Sequence, residues 1–172
     1  MISYIKGDLF THSPASKTAV TILAHACNCR GSWGAGVAAI FKKKYPMSYK
    51  QYVGYCRDHS DNPSSLLGKT LLISSPNRGH ENSTYIACLF TSDLTGRDKL
   101  QPSEIVKNTG AAMNHLRQQL NQLKDVEFET NNDLKIVNMP KINAGLFGVP
   151  WEDTERVLNE YQDIDINVYV ID

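Results

Sequence analysis

The side chains best suited to chemistry lie together in one short stretch. Residues 25–36 read HACNCRGSWGAG, so that a histidine and two cysteines directly precede a loop with three glycines in six positions. Histidine and cysteine are common zinc ligands, a cysteine thiolate is a nucleophile, and a glycine-rich loop can bring backbone amides up to a phosphate. The stretch is therefore a candidate metal site, thiol nucleophile or anion site.

The spacing of the cysteines argues against the first two alternatives. His25, Cys27 and Cys29 lie two residues apart, whereas a zinc site needs a fourth ligand and usually has two to four residues between its cysteines. A cysteine-dependent phosphatase needs an arginine five residues after the thiol, and Ser32 stands at that place after Cys27. We therefore expect no metal, and we interpret both cysteines as packing residues.

The glycine loop is better suited to an anion. It follows an apolar run over residues 19–26 and opens a helical pattern, and the free N–H groups and dipole of a helix N-terminus favour negative charge. A second loop over residues 143–153, NAGLFGVPWED, repeats this arrangement. Two such loops at one end of a sheet can hold the two phosphates of a pyrophosphate, so we predict a nucleotide diphosphate as ligand.

Four side chains in or next to these loops are candidates for further roles. We interpret Trp33 and Phe147 as ligand contacts, because an aromatic side chain on a tight glycine loop has little core to reach. Asn28 can hydrogen-bond a sugar hydroxyl, and the alternative is an Asx turn at the end of the strand. Histidine is the side-chain type whose usual pKa lies nearest neutral pH, so His25 is either a structural residue or a general base or nucleophile.

These candidates are positioned by alternating strands and helices. The β-rich runs fall at residues 2–6, 19–26, 70–75, 84–91, 134–139 and 166–171, helical patterns at 36–45, 49–56, 102–124 and 152–161, and loops at 60–65 and 76–83. Several of the strands are almost continuously apolar, which is typical of a sheet that helices cover on both faces. We expect one α/β domain over residues 1–172, with three α/β/α layers and a mixed, mostly parallel sheet of about six strands.

The composition argues against several kinds of partner. Lys and Arg number 18, and so do Asp and Glu, so no net charge attracts nucleic acid or a membrane surface. The basic cluster Lys42 to Lys44 would spread around a solvated helix face. The N-terminal sequence contains no apolar run that could serve as a signal, and four scattered cysteines indicate reduced thiols. We expect a monomer in the cytoplasm or nucleus with a small-molecule ligand.

Together, the two loops resemble those of a known family. The stretches ILAHACNCRGSWGAGVAAI (22–40) and MPKINAGLFGVPW (139–151), with YIKGDLF (4–10) near the start, look like the ligand loops of a macrodomain. They are most similar to the fungal ADP-ribose 1''-phosphate phosphatases, which share the patterns H-x-C-N-x-x-G-S-W-G-x-G and I-N-x-G-x-F-G-V-P-W. The likeness spans essentially the whole chain and is weakest over residues 94–133.

The resemblance implies a role for each motif. Asp8 would receive the adenine amino group, with Leu9 beside the base. Asn28 would hold the distal ribose, and Phe147 would lie against that sugar. The residues expected to bind substrate are Gly7, Asp8, Leu9, Ala26, Cys27, Asn28, Trp33, Gly34, Ala35, Gly36, Val37, Ala38, Asn143, Ala144, Gly145, Leu146, Phe147, Gly148 and Val149. His25 and Asn28 are the expected catalytic residues.

Two departures from related macrodomains narrow the expected activity. Macrodomains that remove mono-ADP-ribose from proteins often have an acidic residue in the helix after the glycine loop, whereas Gly36 and Val37 are followed here by Ala38. The terminal ADP-ribose protein glycohydrolases use a lysine after the fourth strand and an aspartate in the second loop. In this chain Ser92, approximately, and Phe147 occupy those places, so the lysine and aspartate pair is missing and the glycohydrolase chemistry is not expected.

The resemblance thus implies a phosphatase that converts ADP-ribose 1''-phosphate, a by-product of tRNA splicing, into ADP-ribose and phosphate, without a cofactor. The glycine-loop amides would neutralise the phosphate and His25 would activate water or attack phosphorus. Asp93 and Asp98 are candidate acids for the leaving oxygen, with surface solvation as the alternative. Two other functions stay open: a non-catalytic reader of ADP-ribose or ADP-ribosylated proteins, and a hydrolase that removes ADP-ribose or acetyl groups from proteins or acyl esters.

Overall fold

The secondary structure follows the predicted alternation. A computed structural model describes residues 1–76, 83–93 and 100–171. Its strands are β1 (Ile2–Lys6), β2 (Thr21–Cys27), β3 (Thr70–Pro76), β4 (Ser83–Phe90), β5 (Thr130–Asn131), β6 (Leu134–Met139) and β7 (Ile164–Val170). Its α-helices are α1 (Gly36–Lys44), α2 (Pro46–Asp58), α3 (Pro102–Gln122) and α4 (Trp151–Leu158), and short 3-10 helices cover Leu9–Thr11 and Pro63–Leu66. All six predicted strands are confirmed, and β5 is an additional strand of two residues.

The strands form one mixed sheet. Their order is β1-β7-β6-β2-β4-β3, with β5 beside β6. Neighbours in this order are parallel, except that β3 is antiparallel to β4. The predicted mixed, mostly parallel sheet is therefore confirmed. Because β1, β2, β4, β6 and β7 run in the same direction, their carboxyl ends meet at one edge, where the loops that follow them can form a common site.

The alternation of side chains along β2 divides the protein into two cores. Ile22 and Ala24 join a cluster with α3 and α4, whereas Leu23 and Cys27 join a second cluster with α1 and α2. Successive side chains of a strand point to opposite faces, so His25 lies on the same face as Leu23 and Cys27. Helices therefore cover both faces of the sheet, and the predicted three-layer arrangement is confirmed.

The longest helix, α3, has clear start chemistry and one internal glycine. Pro102 is its first residue, and the Glu104 carboxylate accepts a hydrogen bond from the backbone N–H of Gln101 at 3.3 Å. A Cβ atom added to Gly110 would lie 3.3 Å from Val157 of α4, so this glycine allows the two helices to pack closely. None of the helices that the structure describes combines the length and apolar character needed to cross a membrane.

Candidate active site

Two adjoining cavities open at the edge where the parallel strands end. The larger, of about 430 Å³, lies between the loops that follow β2 and β6. The smaller, of about 350 Å³, lies between the segment after β1 and the end of β7. Val37, Pro140 and Lys141 line both cavities. A ligand that is longer than either cavity can therefore occupy both.

The N-terminus of α1 forms part of the wall of the larger cavity. No side chain caps the helix at Ala35, so the first-turn N–H groups lack an acceptor within the helix. Gly36, the first helical residue, has φ of +60°, a conformation that glycine adopts at no steric cost. The exposed amides and the positive end of the helix dipole make this wall suitable for an anion.

The second loop is held from beneath by Asn143. Its φ of +66° lies in the left-handed region, which asparagine tolerates better than most residues. The side chain is buried, and its Oδ1 accepts a hydrogen bond from Thr91 at 2.8 Å while its Nδ2 donates to Thr109 at 2.9 Å. The amide of Asn143 thus supports the loop, while Leu146 and Phe147 further along it line the cavity.

Asn28 organises the glycine loop. Its Oδ1 accepts hydrogen bonds from the N–H groups of Arg30 at 2.9 Å and Ser32 at 3.3 Å, and its Nδ2 donates to the Ser32 carbonyl at 2.6 Å. The Asx-turn alternative therefore describes this side chain. Because Asn28 also lines the larger cavity, the second hydrogen of its amide group is the donor that remains for a ligand.

The structure places His25 in the core, and its catalytic role stays a prediction. Its side chain is 0% exposed and lies outside both cavity linings. The ring stacks on Phe41 at a centroid distance of 4.0 Å and meets Trp33 edge to face at 4.8 Å. The strand alternation points His25 into the core beneath α1, where its ring contacts Cys27 and Trp33, which line the larger cavity.

Trp33 also lies deeper than expected. It contributes to the lining of the larger cavity, but it is only 1% exposed and its indole stacks on Tyr52 at 4.8 Å. The argument that a loop aromatic has little core to reach was wrong for Trp33, because α2 packs under the loop and supplies that core. Phe147 is half-buried and lines the cavity, as expected of a ligand contact.

The cysteines pack in the core and remain thiols. All four are buried and free. Burial raises the pKa of Cys27 well above its usual value, and burial, with a further contribution from the nearby Asp93 carboxylate, raises the pKa of Cys29 to about 12. Neither residue is a thiolate near neutral pH, which agrees with their interpretation as packing residues and not as nucleophiles.

The fold brings a third possible metal ligand beside the first two. The ligand atoms of His25, Cys27 and Cys88 lie within 4.8 Å of one another, a juxtaposition that the cysteine spacing did not indicate. However, Cys27 Sγ is almost equally distant from the two ring nitrogens of His25, at 3.6 and 3.7 Å. If His25 and Cys27 bound the same ion, the ion would lie along the lone pair of one ring nitrogen, and the sulfur would be closer to that nitrogen than to the other. The observed positions therefore do not suit a shared ion. That no metal binds stays a prediction.

Three charged side chains line the larger cavity, and two of them form an ion pair. Arg30 Nε lies 2.9 Å from Asp93 Oδ1, and Arg30 Nη2 lies 3.2 Å from Asp93 Oδ2. Lys141 is exposed and makes no ion pair with any residue in the described parts of the chain. Asp98, the other candidate acid, lies outside the described residues. Sequence reasoning assigned no role to Arg30 or Lys141, although each lies within a stretch that it singled out.

The smaller cavity contains the segment expected to contact adenine. Asp8 Oδ1 accepts a hydrogen bond from Phe10 N at 2.9 Å and so starts the 3-10 helix. His12 fixes the end of this segment, because one ring nitrogen lies 2.6 Å from the Tyr169 hydroxyl and the other 2.8 Å from Glu129. The second carboxylate oxygen of Asp8 has no hydrogen-bond partner among the described residues, so it can accept from a ligand.

Most of the predicted binding residues line one of the two cavities. Those in the linings are Gly7, Asp8, Leu9, Ala26, Cys27, Asn28, Trp33, Gly34, Ala35, Gly36, Val37, Ala38, Asn143, Gly145, Leu146 and Phe147. Ala144, Gly148 and Val149 lie outside both linings, and Val149 is buried. The two loops and the segment after β1 are therefore brought together as one composite site.

This combination of fold and site has known counterparts. The macro domain family model matches residues 24–158. The chain belongs to the macro domain family. The macrodomain is 57% identical to a protein of Debaryomyces hansenii named ADP-ribose 1''-phosphate phosphatase, covering 100% of both chains. It is also 57% identical to the protein of the same name from Meyerozyma guilliermondii, covering 99% of this chain and 98% of the other.

Solved structures share the fold of this macrodomain at lower identity. The macrodomain of Mycobacterium tuberculosis DarG matches with a TM-score of 0.70 and 22% identity, over 98% of this chain and 97% of that one. Thermosipho africanus DarTG, in complex with ADP-ribose, matches with a TM-score of 0.68 and 17% identity, over 99% of this chain and 41% of that one. At these identities the likeness concerns the fold.

Proposed function

We propose that this macrodomain is a phosphatase that hydrolyses ADP-ribose 1''-phosphate to ADP-ribose and inorganic phosphate. The observation that carries the proposal is the pair of adjoining cavities, one of which contains an uncapped helix N-terminus and two cationic side chains. ADP-ribose 1''-phosphate is an elongated anion with a base at one end and phosphate groups at the middle and the other end. The chemistry of the two cavities matches this order.

The smaller cavity is the site for the base. Asp8 offers a carboxylate oxygen to an exocyclic amino group, and Leu9 and Tyr169 provide apolar surface beside it. Lys141 and Val37 lie where the two cavities meet, so the diphosphate passes between them. The distal ribose and its 1''-phosphate then lie in the larger cavity, against the amides of α1 and the loop that Asn28 organises.

Hydrolysis of phosphate monoesters is among the slowest uncatalysed reactions, so the site must both position the phosphate and neutralise its charge. The α1 amides are rigid donors that need no reorganisation during the reaction. The names of full-length relatives at 57% identity support the same substrate for this chain. ADP-ribosylated proteins are second candidates for the same cavity, since they present the same ADP-ribose group.

Phosphate release tests the proposal directly. Purified protein is incubated with ADP-ribose 1''-phosphate, and inorganic phosphate and ADP-ribose are measured over time. We expect equal amounts of both products. The matched control is Gly34→Glu, which places a carboxylate in the larger cavity and should abolish release. Binding of ADP-ribose without phosphate release would identify a reader, and release of ADP-ribose from a modified protein without phosphate would identify a protein hydrolase.

A further inference from the structure

We propose that Asp93 is the general base and acid of this phosphatase and that Arg30 binds the 1''-phosphate. The inference rests on the proposed function and specifies which side chains of the larger cavity carry out the reaction. It starts from the Arg30–Asp93 ion pair, in which two guanidinium nitrogens lie 2.9 and 3.2 Å from the two carboxylate oxygens.

The sheet places the two residues at equivalent points. Arg30 is the third residue after the end of β2 at Cys27, and Asp93 is the third after the end of β4 at Phe90. Cys27 and Phe90 are partners in the parallel register of these two strands. The backbone positions of Arg30 and Asp93 are thus fixed by the ends of two adjacent strands. This gives the pair the precision that a reacting group needs.

The pair lies inside the larger cavity, in a partly shielded position. Both residues line it together with Asn28 and the first turn of α1, and the Asp93 side chain is only 15% exposed, against 45% for Arg30. With the base in the smaller cavity and the diphosphate at the junction, the remaining anionic group of the ligand lies in this cavity. Arg30 is the cation there that can bind a phosphate with two parallel hydrogen bonds.

Asp93 is selected by what the other lining residues cannot do. Among the lining residues that the structure describes, it has the only carboxylate in the larger cavity. The Cys27 thiol stays protonated because burial raises its pKa, and His25 is buried in the core. Asp93 is therefore the lining residue whose carboxylate can accept a proton from a water in the larger cavity.

The reaction balances with these two side chains and one water. Asp93 accepts a proton from water while the water oxygen bonds to phosphorus. The bond between phosphorus and the ribose 1''-oxygen breaks, and its electron pair stays on that oxygen. Asp93 then transfers the same proton to the 1''-oxygen, giving ADP-ribose and hydrogen phosphate. Arg30 offsets the charge on the phosphoryl oxygens and holds the carboxylate in place.

Three variants separate the two roles. Asp93→Asn retains the shape of the side chain, and we expect kcat for phosphate release to fall about a hundredfold or more with the Kd for ADP-ribose within about twofold. Asp93→Glu, which keeps a carboxylate, should retain more activity than Asp93→Asn. Arg30→Lys should raise KM for ADP-ribose 1''-phosphate about tenfold, while the Kd for ADP-ribose, which lacks the terminal phosphate, is unchanged. Asp163→Asn removes the carboxylate of another Arg–Asp pair, that of Arg117, and serves as the matched control.

The possible failures are distinguishable. If the unmodified protein releases no phosphate, the proposed function fails, whereas turnover that Asp93→Asn leaves intact overturns only the role of Asp93. Equal losses for both ligands in Arg30→Lys would overturn its contact with the 1''-phosphate. Hydrolysis by the unmodified protein in ¹⁸O-labelled water adds a test that depends on no variant. We expect the label in the phosphate, and unlabelled phosphate would refute the mechanism.

Discussion

The hydroxyl of Tyr52 lies 2.6 Å from the main-chain carbonyl oxygen of Asn28 and 3.1 Å from its side-chain Oδ1. This contact joins the middle of α2 to the start of the glycine loop. Asn28 in turn holds the backbone of Arg30 and Ser32, so one buried phenol supports the loop that lines the larger cavity.

Removal of this hydroxyl should therefore loosen the loop without disrupting the core. We expect Tyr52→Phe to lower the free energy of unfolding by about 1 kcal/mol, the usual contribution of one hydrogen bond. The affinity for ADP-ribose should fall about tenfold, or about 1.4 kcal/mol, because binding must then order the loop. Calorimetry and urea unfolding measure both quantities. Tyr55→Phe, on the same helix, is the control, and unchanged affinity in Tyr52→Phe would contradict the supporting role.

Gly34→Glu tests the glycine loop as the anion site. A Cβ atom at this position would lie 3.3 Å from Ser32 Oγ, so the substitution crowds the loop, and the added carboxylate repels the ligand. We expect ADP-ribose binding to weaken about a hundredfold or more in a protein that still folds. Asn121→Glu adds the same charge on the exposed side of α3 and should bind normally. Normal ADP-ribose binding by a folded Gly34→Glu variant would show that the glycine loop does not form the anion site.

His25 should contribute to stability and not directly to turnover. His25→Ala leaves a hole between Phe41 and Trp33, and we expect a loss of about 3 kcal/mol in the free energy of unfolding. His25→Phe fills that space with another aromatic ring and should recover much of the loss. In both variants, phosphate release per folded molecule should be similar to that of the natural sequence. A stable His25→Phe protein that binds ADP-ribose but releases no phosphate would restore the catalytic interpretation.

The buried thiol of Cys29 predicts a loss of stability at high pH. Its pKa is about 12 in the folded protein against a usual value of 9.0, so the folded state retains the proton that the unfolded state releases. The contribution of the protonated Cys29 thiol to the free energy of unfolding is complete below about pH 9 and is lost as the pH rises toward about 12. Urea unfolding at a series of pH values should show a steeper decline for the natural sequence than for Cys29→Ala. Parallel declines would show that Cys29 does not titrate in this way.

The cluster of His25, Cys27 and Cys88 should not retain a metal. Cys27 Sγ is almost equally distant from the two ring nitrogens of His25, a position that does not allow one of these nitrogens and the sulfur to bind the same ion at normal bond lengths. After incubation with Zn²⁺ and dialysis, elemental analysis should find substoichiometric zinc. One zinc per chain that disappears in Cys88→Ser would identify a metal site in the core.

The sequence predicted the strands and helices because these features depend on local patterns. Of the predicted loops, 60–65 overlaps the 3-10 helix Pro63–Leu66, and 76–83 lies almost entirely outside the described residues. Continuous apolar runs identify buried strands, and two glycine loops before helices predict an anion site with little dependence on distant neighbours. The surroundings of Trp33 and His25 could not be predicted in the same way. Strand alternation assigns His25 to a face of the sheet, but it does not say that Phe41 and Trp33 will cover it.

The Arg30–Asp93 pair could not be predicted from the sequence either. The two residues are 63 positions apart, and they meet only because β2 and β4 are parallel neighbours in the register that aligns Cys27 with Phe90. Hydrophobic periodicity locates both strands but does not give their order or register. The pair therefore becomes visible only in the folded chain.

The burial of Trp33 beneath the glycine loop has an optical consequence. The chain has two tryptophans, and the other, Trp151, lies at the start of α4 with its indole N–H donating to the Tyr4 hydroxyl. Trp151→Phe would leave a protein whose indole emission comes from Trp33 alone. That emission should be blue-shifted by the apolar surroundings and should respond when a ligand rearranges the loop above it. The protein thus contains an intrinsic fluorophore from which ligand association could be followed in real time.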